Sequence, residues 1–346
     1  MTLALDSATP GAGPDPEAAP LLDVKNLAIS FPTRQGVVRA VNGVRLSVGR
    51  HERVGIVGES GSGKTVTALS ILRLLPTAII EGEIWFDGVD LLQASDEHIR
   101  DVRGNQVGYI FQDPLSALNP VQTIGQQIME PLRIRGVSRR EAAERAADLL
   151  DRVGIKSPRQ RMKDHPHQFS GGMRQRVVIA MALISEPKMV IADEPTTALD
   201  VRVQARVLDL LIELAEERQL AILLISHDLG ILAGFVDRVV VMYAGRPVEK
   251  CPIDQMYHAS IHPYTMGLLG SLPRLDGDVN QSLTTIGGQP PSALNLPSGC
   301  PFHPRCRYTE QICREVEPEL LTPPGGQHAS ACHFAERLAQ NPGVLP

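Results

Sequence analysis

A glycine-rich octet constrains this chain more than any other part of its sequence. Residues 58–65 read Gly-Glu-Ser-Gly-Ser-Gly-Lys-Thr, directly after the apolar run 54–57 and before a segment with helical character, 66–75. A buried strand, a glycine-rich loop and a helix in that order form the context in which main-chain N–H groups surround phosphates. The octet therefore predicts an α/β core with a phosphate-binding loop.

Each residue type in the octet has a predicted role in binding a triphosphate. Glycines let the backbone N–H groups turn inward, Lys64 supplies a positive charge to the β- and γ-phosphates, and Thr65 supplies a hydroxyl ligand for Mg²⁺. The predicted phosphate-binding residues are Gly58, Ser60, Gly61, Ser62, Gly63, Lys64 and Thr65. A glycine-rich surface turn is the alternative, and the flanking strand and helix argue against it.

Composition limits the classes to which the chain can belong. Of its 346 residues, 43% are hydrophobic and 21% are charged, which is typical of a globular protein with two or three domains or subdomains. A net charge of −5 disfavours nucleic acid as a partner. No apolar stretch approaches the roughly 18 residues of a membrane span. Residues 1–21 resemble a disordered tail more than a signal peptide, so we expect cytoplasmic residence.

Apolar periodicity divides the rest of the chain into segments. Alternation over 22–57 predicts an antiparallel sheet, and helical periodicity dominates 114–178. The apolar runs 189–192 and 221–225, separated by a helical pattern over 201–218, predict a βαβ unit and a parallel sheet. We therefore expect one nucleotide-binding domain over 22–255, with a helical subdomain at about 114–178, and a loop-rich extension over 256–346.

Two acidic residues end the apolar run 189–192. Asp193 is expected at the carboxyl edge of the sheet, near the phosphate loop, where it can hold Mg²⁺ through water. Glu194 is then the candidate general base, because a carboxylate beside the γ-phosphate orients and polarises the attacking water. Acids at a strand end are usually solvated loop residues, but their pairing with a phosphate loop favours the catalytic interpretation.

The heptad Ser-Gly-Gly-Met-Arg-Gln-Arg at 170–176 resembles the signature motif of ATP-binding cassette (ABC) proteins, and it lies between the phosphate loop and the acid pair as in that family. Ser170, Gly171 and Gly172 begin a predicted helix, so they offer a second anion-binding helix terminus. The resemblance implies that this terminus contacts ATP held by an opposing subunit. A plain Ser-Gly-Gly helix cap is the alternative.

Further single residues of this sequence resemble residues with known roles in the ABC family. Gln112 resembles the glutamine that senses Mg²⁺ and the attacking water, Asp200 lies in a segment that resembles the loop joining two subunits, and His227 resembles the histidine that contacts the γ-phosphate. The family also stacks a planar side chain on adenine, for which Phe31 and Arg39 are the candidates. The implied fold is an ABC-type nucleotide-binding domain: a RecA-like P-loop core, an antiparallel β subdomain and a helical subdomain.

Segments 111–120, 165–169 and 261–269 resemble the dipeptide, oligopeptide and nickel importer branch of the family, and the resemblance covers about 22–335. It implies a peripheral ATPase on the cytoplasmic face of the membrane, which hydrolyses ATP to drive import of peptides. The implied partners are a second ATPase subunit, either a copy or a paralogue, two permease subunits and indirectly a solute-binding protein. Nickel or another small solute, an exporter, and a non-transport ABC ATPase are the alternatives.

Four of the five cysteines are concentrated near the carboxyl terminus. Cys300, Cys306, Cys313 and Cys332 are separated by 5, 6 and 18 residues, whereas Cys251 stands apart. In a reducing compartment this set suggests metal or cluster ligation, and four thiolates suit zinc and iron–sulfur equally well. Resemblance to peptide-importer ATPases implies a 4Fe-4S cluster, with Zn²⁺ or free thiols as alternatives.

Overall fold

This computed structural model describes residues 19–196, 201–272, 286–322 and 326–340. The predicted tail lies outside the described residues except for its last three positions, and Asp200 also lies outside them. Leu21 and Leu22 are already buried, and the first strand begins at Leu22.

Strands supply the framework of the molecule. In chain order they are β1 (Leu22–Thr33), β2 (Gly36–Val48), β3 (Arg53–Val57), β4 (Ile79–Phe86), β5 (Val89–Asp90), β6 (Val107–Ile110), β7 (Met189–Asp193), β8 (Ala221–Ser226), β9 (Arg238–Tyr243), β10 (Arg246–Pro252) and β11 (Ala329–Ser330).

Helices connect and cover these strands. In chain order they are α1 (Lys64–Ile71), α2 (Asp96–Asp101), α3 (Pro114–Ala117), α4 (Ile124–Ile134), α5 (Arg139–Arg152), α6 (Pro158–Arg161), α7 (Gly171–Leu183), α8 (Val201–Arg218), α9 (Leu229–Leu232), α10 (Ile253–Ala259), α11 (Pro263–Gly270), α12 (Gln311–Glu315) and α13 (Ala335–Ala339).

Two sheets organise the fold. A seven-stranded sheet has the order β11-β10-β9-β3-β8-β7-β6, and its strands from β9 to β6 are parallel. A four-stranded antiparallel sheet has the order β2-β1-β4-β5. The α/β core with an antiparallel β portion is as the sequence predicts, but the antiparallel sheet predicted over 22–57 takes only β1 and β2 from that span, because β3 lies in the parallel sheet.

Register in the parallel sheet brings the carboxyl ends of four strands to one edge. Val57 pairs with Ser226, Asp193 with Ile225, and Ala192 with Ile110. The loops after β3, β6, β7 and β8 carry the phosphate loop and the residues predicted to act with it. Ligands of open α/β sheets bind at this edge, so the sheet itself assembles the candidate site.

Alternate residues of the parallel strands enter two separate cores. Along β8, Ile222 and Leu224 belong to the core shared with the helices, whereas Leu223 and Ile225 belong to the core shared with the antiparallel sheet. Both faces of the strand are covered, which is why the run from Ala221 to Ile225 is continuously apolar.

Several boundaries differ from the sequence-based expectation or qualify it. The helix after the phosphate loop ends at Ile71 and not at residue 75, because Arg73 adopts a left-handed conformation with φ of 50°. Helices α3 to α7 occupy the predicted helical region and continue to Leu183. The boundary predicted at 255 falls inside α10, and β11 adds a strand to the main sheet. The division into domains stays a prediction.

Among the residues that the structure describes, no helix combines the length and the apolar character needed to cross a bilayer.

Candidate nucleotide-binding site

A cleft of about 770 Å³ opens at the carboxyl edge of the parallel sheet. Its volume lies within the range of about 300–1,000 Å³ that is usual for small-molecule sites. The residues that line it are Val38, Ala40, Gly58, Glu59, Ser60, Gly61, Gly63, Lys64, Thr65, Val66, Gln112, Glu194, His227, Leu268 and Ala293. The structure thus gathers the phosphate loop and three of the predicted catalytic and sensing residues around one space.

Main-chain conformation shapes the phosphate loop. Gly63 precedes α1 with φ of 96°, and a Cβ at this position would lie 2.7 Å from the carbonyl oxygen of Ala40. Only glycine accommodates both the positive φ and the close approach. The adjacent Ser62 is buried, and its Oγ has no hydrogen-bond partner among the described residues. An exogenous acceptor or donor in the loop would satisfy that hydroxyl.

Lys64 lies at the base of the loop and is 5% exposed. Its Nζ donates to the carbonyl oxygens of Gly58 and Glu59, at 2.8 and 3.0 Å. Burial lowers the pKa of Lys64, and the nearby carboxylates of Glu194 and Asp193 act in the opposite direction. A triphosphate in the cleft would compensate this buried cation and favour its charged form.

Asp193 connects the end of β7 to the phosphate loop. Its Oδ1 accepts a hydrogen bond from Thr65 Oγ1 at 3.1 Å, and its Oδ2 accepts one from the Tyr109 hydroxyl at 3.1 Å. Burial raises the pKa of this carboxyl group, although both hydrogen bonds oppose the shift. A hydroxyl and a carboxylate are hard oxygen donors of the kind that Mg²⁺ prefers, so Thr65 and Asp193 fit a magnesium site.

Glu194 interacts with the two predicted sensing residues through one oxygen atom. Its Oε2 accepts a hydrogen bond from Gln112 Nε2 at 2.8 Å and lies 3.1 Å from His227 Nδ1. The Glu194 side chain is 12% exposed and that of His227 is 52% exposed. The carboxylate is therefore oriented at the wall of the cleft by an amide and an imidazole, which suits a group that polarises water.

The signature segment lies away from the cleft of its own chain. Ser170 caps α7, accepting a hydrogen bond from the Met173 N–H at 3.4 Å, and both Ser170 and Gly171 are exposed. Ser170, Gly171 and Gly172 do not line the cleft. The exposed terminus at Ser170 and Gly171 therefore takes no part in the cleft of its own chain.

The two candidates for stacking on adenine, Phe31 and Arg39, are not among the residues that line the cleft, and their role stays a prediction. Phe31 packs against the core under the antiparallel sheet and Arg39 is exposed, and neither lines the cleft. Leu268 and Ala293, from the carboxyl-terminal region, line the cleft together with Val38 and Ala40. Leu268 belongs to the segment 261–269 that resembles the importer branch, but neither that resemblance nor any motif at Ala293 predicts a place in the cleft, because long-range packing brings both residues there.

Comparisons with known proteins agree with this geometry. Residues 41–197 match the family described as ABC transporter, and residues 248–313 match the family described as oligopeptide/dipeptide transporter, C-terminal region. The oligopeptide transport ATP-binding protein OppD of Haemophilus influenzae is 46% identical over 321 residues, which are 92% of this chain and 99% of that protein. This chain belongs to the ABC transporter ATP-binding family. It is an ABC ATPase.

Further relatives are similar over most of the ABC ATPase. A protein of Brucella melitensis, named as a peptide import ATP-binding protein, is 50% identical over 335 residues, which are 92% of this chain and 98% of its own. A solved dimeric ATP-binding cassette with bound ADP and Pi is 28% identical, with a TM-score of 0.60, and the match covers 67% of this chain and 98% of that one. The recognition of the family from sequence is confirmed.

All four clustered cysteines of the ABC ATPase line one small cavity of about 20 Å³. Burial raises the pKa of Cys300 to about 11 and that of Cys332 to about 12, and it also raises the pKa of Cys306. Among the described residues, no three His, Cys, Asp or Glu side chains form a group that could hold a metal ion. The structure thus gathers the predicted thiols without forming a mononuclear metal site.

Proposed function

We propose that this ABC ATPase is the motor subunit of a membrane importer for peptides and lies on the cytoplasmic face of that membrane. The observation that carries the proposal is the cleft in which Lys64, Thr65, Gln112, Glu194 and His227 meet. Relatives named for oligopeptide transport and peptide import, each matched over 92% of the chain, support the assignment to peptides.

The phosphate loop and the polar residues around it have proposed parts in ATP hydrolysis. Lys64 and the N–H groups of the loop bind the phosphates. Thr65 and Asp193 would hold Mg²⁺, which when bound would supply positive charge to balance the negative charge that develops on the phosphate oxygens. Glu194 polarises and orients the attacking water, because its carboxylate lies at the wall of the cleft beside Gln112 and His227. Gln112 and His227 respond to the γ-phosphate by changing their hydrogen bonds to Glu194.

A second ATPase subunit, a copy or a paralogue, completes the proposed site. The exposed terminus at Ser170, Gly171 and Gly172 supports this part of the proposal, since it does not line its own cleft. A related cassette forms a dimer. Two such subunits would enclose ATP and drive two permease subunits, which receive the solute from a binding protein.

Transport by a reconstituted complex tests the function. The full-length chain would be isolated with its partners from native membranes and reconstituted into proteoliposomes that contain ATP on the side of the ATPase. We expect ATP-dependent uptake of a labelled oligopeptide when the binding protein is present. Uptake of nickel without peptide uptake would favour a small solute, and co-purification with ribosomes or nucleic acid without permeases would contradict the transport proposal.

We also propose that Cys300, Cys306, Cys313 and Cys332 hold a 4Fe-4S cluster. Their shared cavity supports ligation to one common group. In such a cluster each thiolate binds a different iron atom, so the ligands stand farther apart than around one zinc ion.

Iron and sulfide analysis of the full-length chain, purified without oxygen, tests the cluster. We expect about four iron atoms and four sulfides per chain together with visible cluster absorbance. Cys306→Ser should lose them, whereas Cys251→Ala should keep them, because Cys251 is buried in the main core away from the cavity. Stoichiometric zinc in place of iron would contradict the cluster proposal.

A further inference from the structure

One residue of the carboxyl-terminal region reaches the phosphate loop directly. We define the cysteine module as the described residues from 300 to 340. Arg305 of this module is 6% exposed at its side chain and forms a bidentate ion pair with Glu59, whose carboxylate projects from the phosphate loop. The Nη1–Oε2 distance is 2.7 Å and the Nη2–Oε1 distance is 3.0 Å. Bidentate pairs of this kind fix orientation as well as adding charge-assisted hydrogen bonds.

The remaining donors of the guanidinium group are also used. Nε donates to the carbonyl oxygen of Gly287 at 2.9 Å, and Nη1 donates to the Tyr243 hydroxyl at 3.3 Å. The backbone N–H of Glu59 in turn donates to the Tyr264 hydroxyl at 2.8 Å. Glu59 is therefore held at both its side chain and its main chain by residues that follow the catalytic core in sequence.

Packing of the module does not depend on the ion pair alone. Phe302 is 3% exposed, and its ring centroid lies 5.2 Å from that of Tyr243 and 5.4 Å from that of Tyr264. These apolar contacts attach the module to the end of β9 and to α11. Arg305 is thus available for a role beyond docking.

The charges of Glu59 and Arg305 indicate the role of Arg305. Glu59 lines the cleft, and its carboxylate is close enough to Lys64 to oppose the lowering of that side chain's pKa by burial. The negative charge of Glu59 would therefore also repel a triphosphate bound at Lys64. The guanidinium group of Arg305 offsets that repulsion and also fixes the loop conformation. We propose that Arg305 is a positioning residue for ATP binding, which acts through Glu59 from within the cysteine module. The inference rests on the proposed nucleotide site.

Equilibrium binding of labelled ATP to the full-length chain tests this role. Arg305→Met should weaken binding about tenfold, while turnover at saturating ATP should change by less than about twofold. Arg305→Lys keeps the charge but not the bidentate geometry, so it should weaken binding less. Arg337→Met is the matched control: Arg337 pairs with Glu310 in the same module, with both side chains more than half exposed, and we expect unchanged affinity.

A double variant separates positioning from general loss of structure. If Arg305 acts through Glu59, then Glu59→Gln combined with Arg305→Met removes the repelling charge and should bind ATP more tightly than Arg305→Met alone. Weaker or equal binding by the double variant would overturn the inference. If Arg305→Met lowers the yield of folded protein, the ATP affinity of Arg305→Lys is compared with that of wild type instead. An ATP affinity of Arg305→Lys equal to that of wild type would then overturn the inference.

The wild-type result distinguishes the two proposals. If the wild-type chain binds ATP, and both Arg305→Met and Arg305→Lys bind it with the same affinity, only the role of Arg305 is overturned. If the wild-type chain does not bind ATP, and the Lys64→Ala variant gives the same result as wild type, the proposed nucleotide site is overturned. This inference is then overturned with it.

Discussion

The nucleotide cleft and the cysteine module are built by different means. In the cleft, strand register brings Val57, Asp193 and Ser226 to one edge of a parallel sheet, so the main chain positions the loops that carry the chemistry. The module contains only short elements, α12, α13 and β11, between loops. It is held by a ring cluster and by single side-chain contacts such as the pair of Arg305 with Glu59.

The difference predicts separate consequences for substitutions in the two regions. Isosteric changes at the wall of the cleft should alter turnover with little effect on stability, because the sheet holds the backbone in place. Changes to the rings that attach the module should alter stability with little effect on turnover. Three variants, taken from the largest expected effect to the smallest, test this separation.

Glu194→Gln should have the largest effect. The amide keeps the shape of the side chain and can still bond to Gln112, but it cannot accept a proton from water. We expect turnover to fall by about 10²–10⁴-fold while ATP binding is retained. Steady-state ATPase assays and equilibrium binding of labelled ATP measure the two quantities, and the thermal midpoint should be close to that of wild type.

Glu186→Gln provides the control for this variant. Glu186 is exposed, lies just before β7 and has φ of 53°. Glu186→Gln therefore removes one negative charge, as Glu194→Gln does, but at a position outside the cleft. We expect wild-type turnover. If Glu194→Gln and Glu186→Gln have the same turnover, Glu194 is not the general base.

Phe302→Leu should have an intermediate effect, on stability and not on chemistry. Leucine fills part of the volume but loses the ring contacts with Tyr243 and Tyr264, and aromatic pairs contribute about 0.5–1.5 kcal/mol each beyond area burial. We expect a loss of about 2 kcal/mol in the free energy of unfolding, measured by chemical denaturation. Phe334→Leu, at a half-buried ring of the same module, should have a smaller effect.

Turnover per folded molecule is the second measurement on Phe302→Leu. It should stay near the wild-type value at saturating ATP. A fall in turnover comparable to that of Glu194→Gln would show that the module takes part in the chemistry, and the contrast between the two regions would fail.

The contrast also explains which features the sequence could predict. Lys64, Asp193, Glu194 and His227 each follow an apolar strand or belong to a motif with fixed spacing, so local sequence and the parallel sheet suffice to bring them together. The pair of Glu59 with Arg305 spans 246 residues, and no motif marks it. Leu268 belongs to a segment that resembles the importer branch, but its place at the cleft is revealed only by tertiary packing.

The adenine-stacking candidates show that a local sequence pattern does not determine which side chains face the cleft. Phe31 on β1 pairs with Val38 on β2 and shares its face of the sheet, whereas strand alternation decides which side chains of β2 face the cleft. Val38 and Ala40 face it, so Arg39 between them points elsewhere. A sequence without a secure register cannot distinguish these two faces, because a shift of one residue exchanges them.

Asp193→Asn should have the smallest effect on stability, and its sign is opposite to that of Phe302→Leu. Burial raises the pKa of Asp193 in the folded protein, so the folded state binds this proton more tightly than the unfolded chain does. Stability therefore decreases as the pH rises from the ordinary Asp pKa through the raised one, and ionised Asp193 lowers stability at neutral pH. Asparagine removes this contribution, so the metal-free variant should be more stable by less than about 1 kcal/mol.

Thermal unfolding across pH, with and without Mg²⁺ and ATP, measures this effect. Wild type should gain stability on adding Mg²⁺ with ATP, because binding to the folded state raises the midpoint, and Asp193→Asn should gain much less. Asp254→Asn, at an exposed position at the start of α10, should match wild type in both conditions. If Asp193→Asn were instead less stable without metal, the carboxylate would be a structural support of β7. The cleft would then be held, like the module, by single side-chain contacts and not by the sheet.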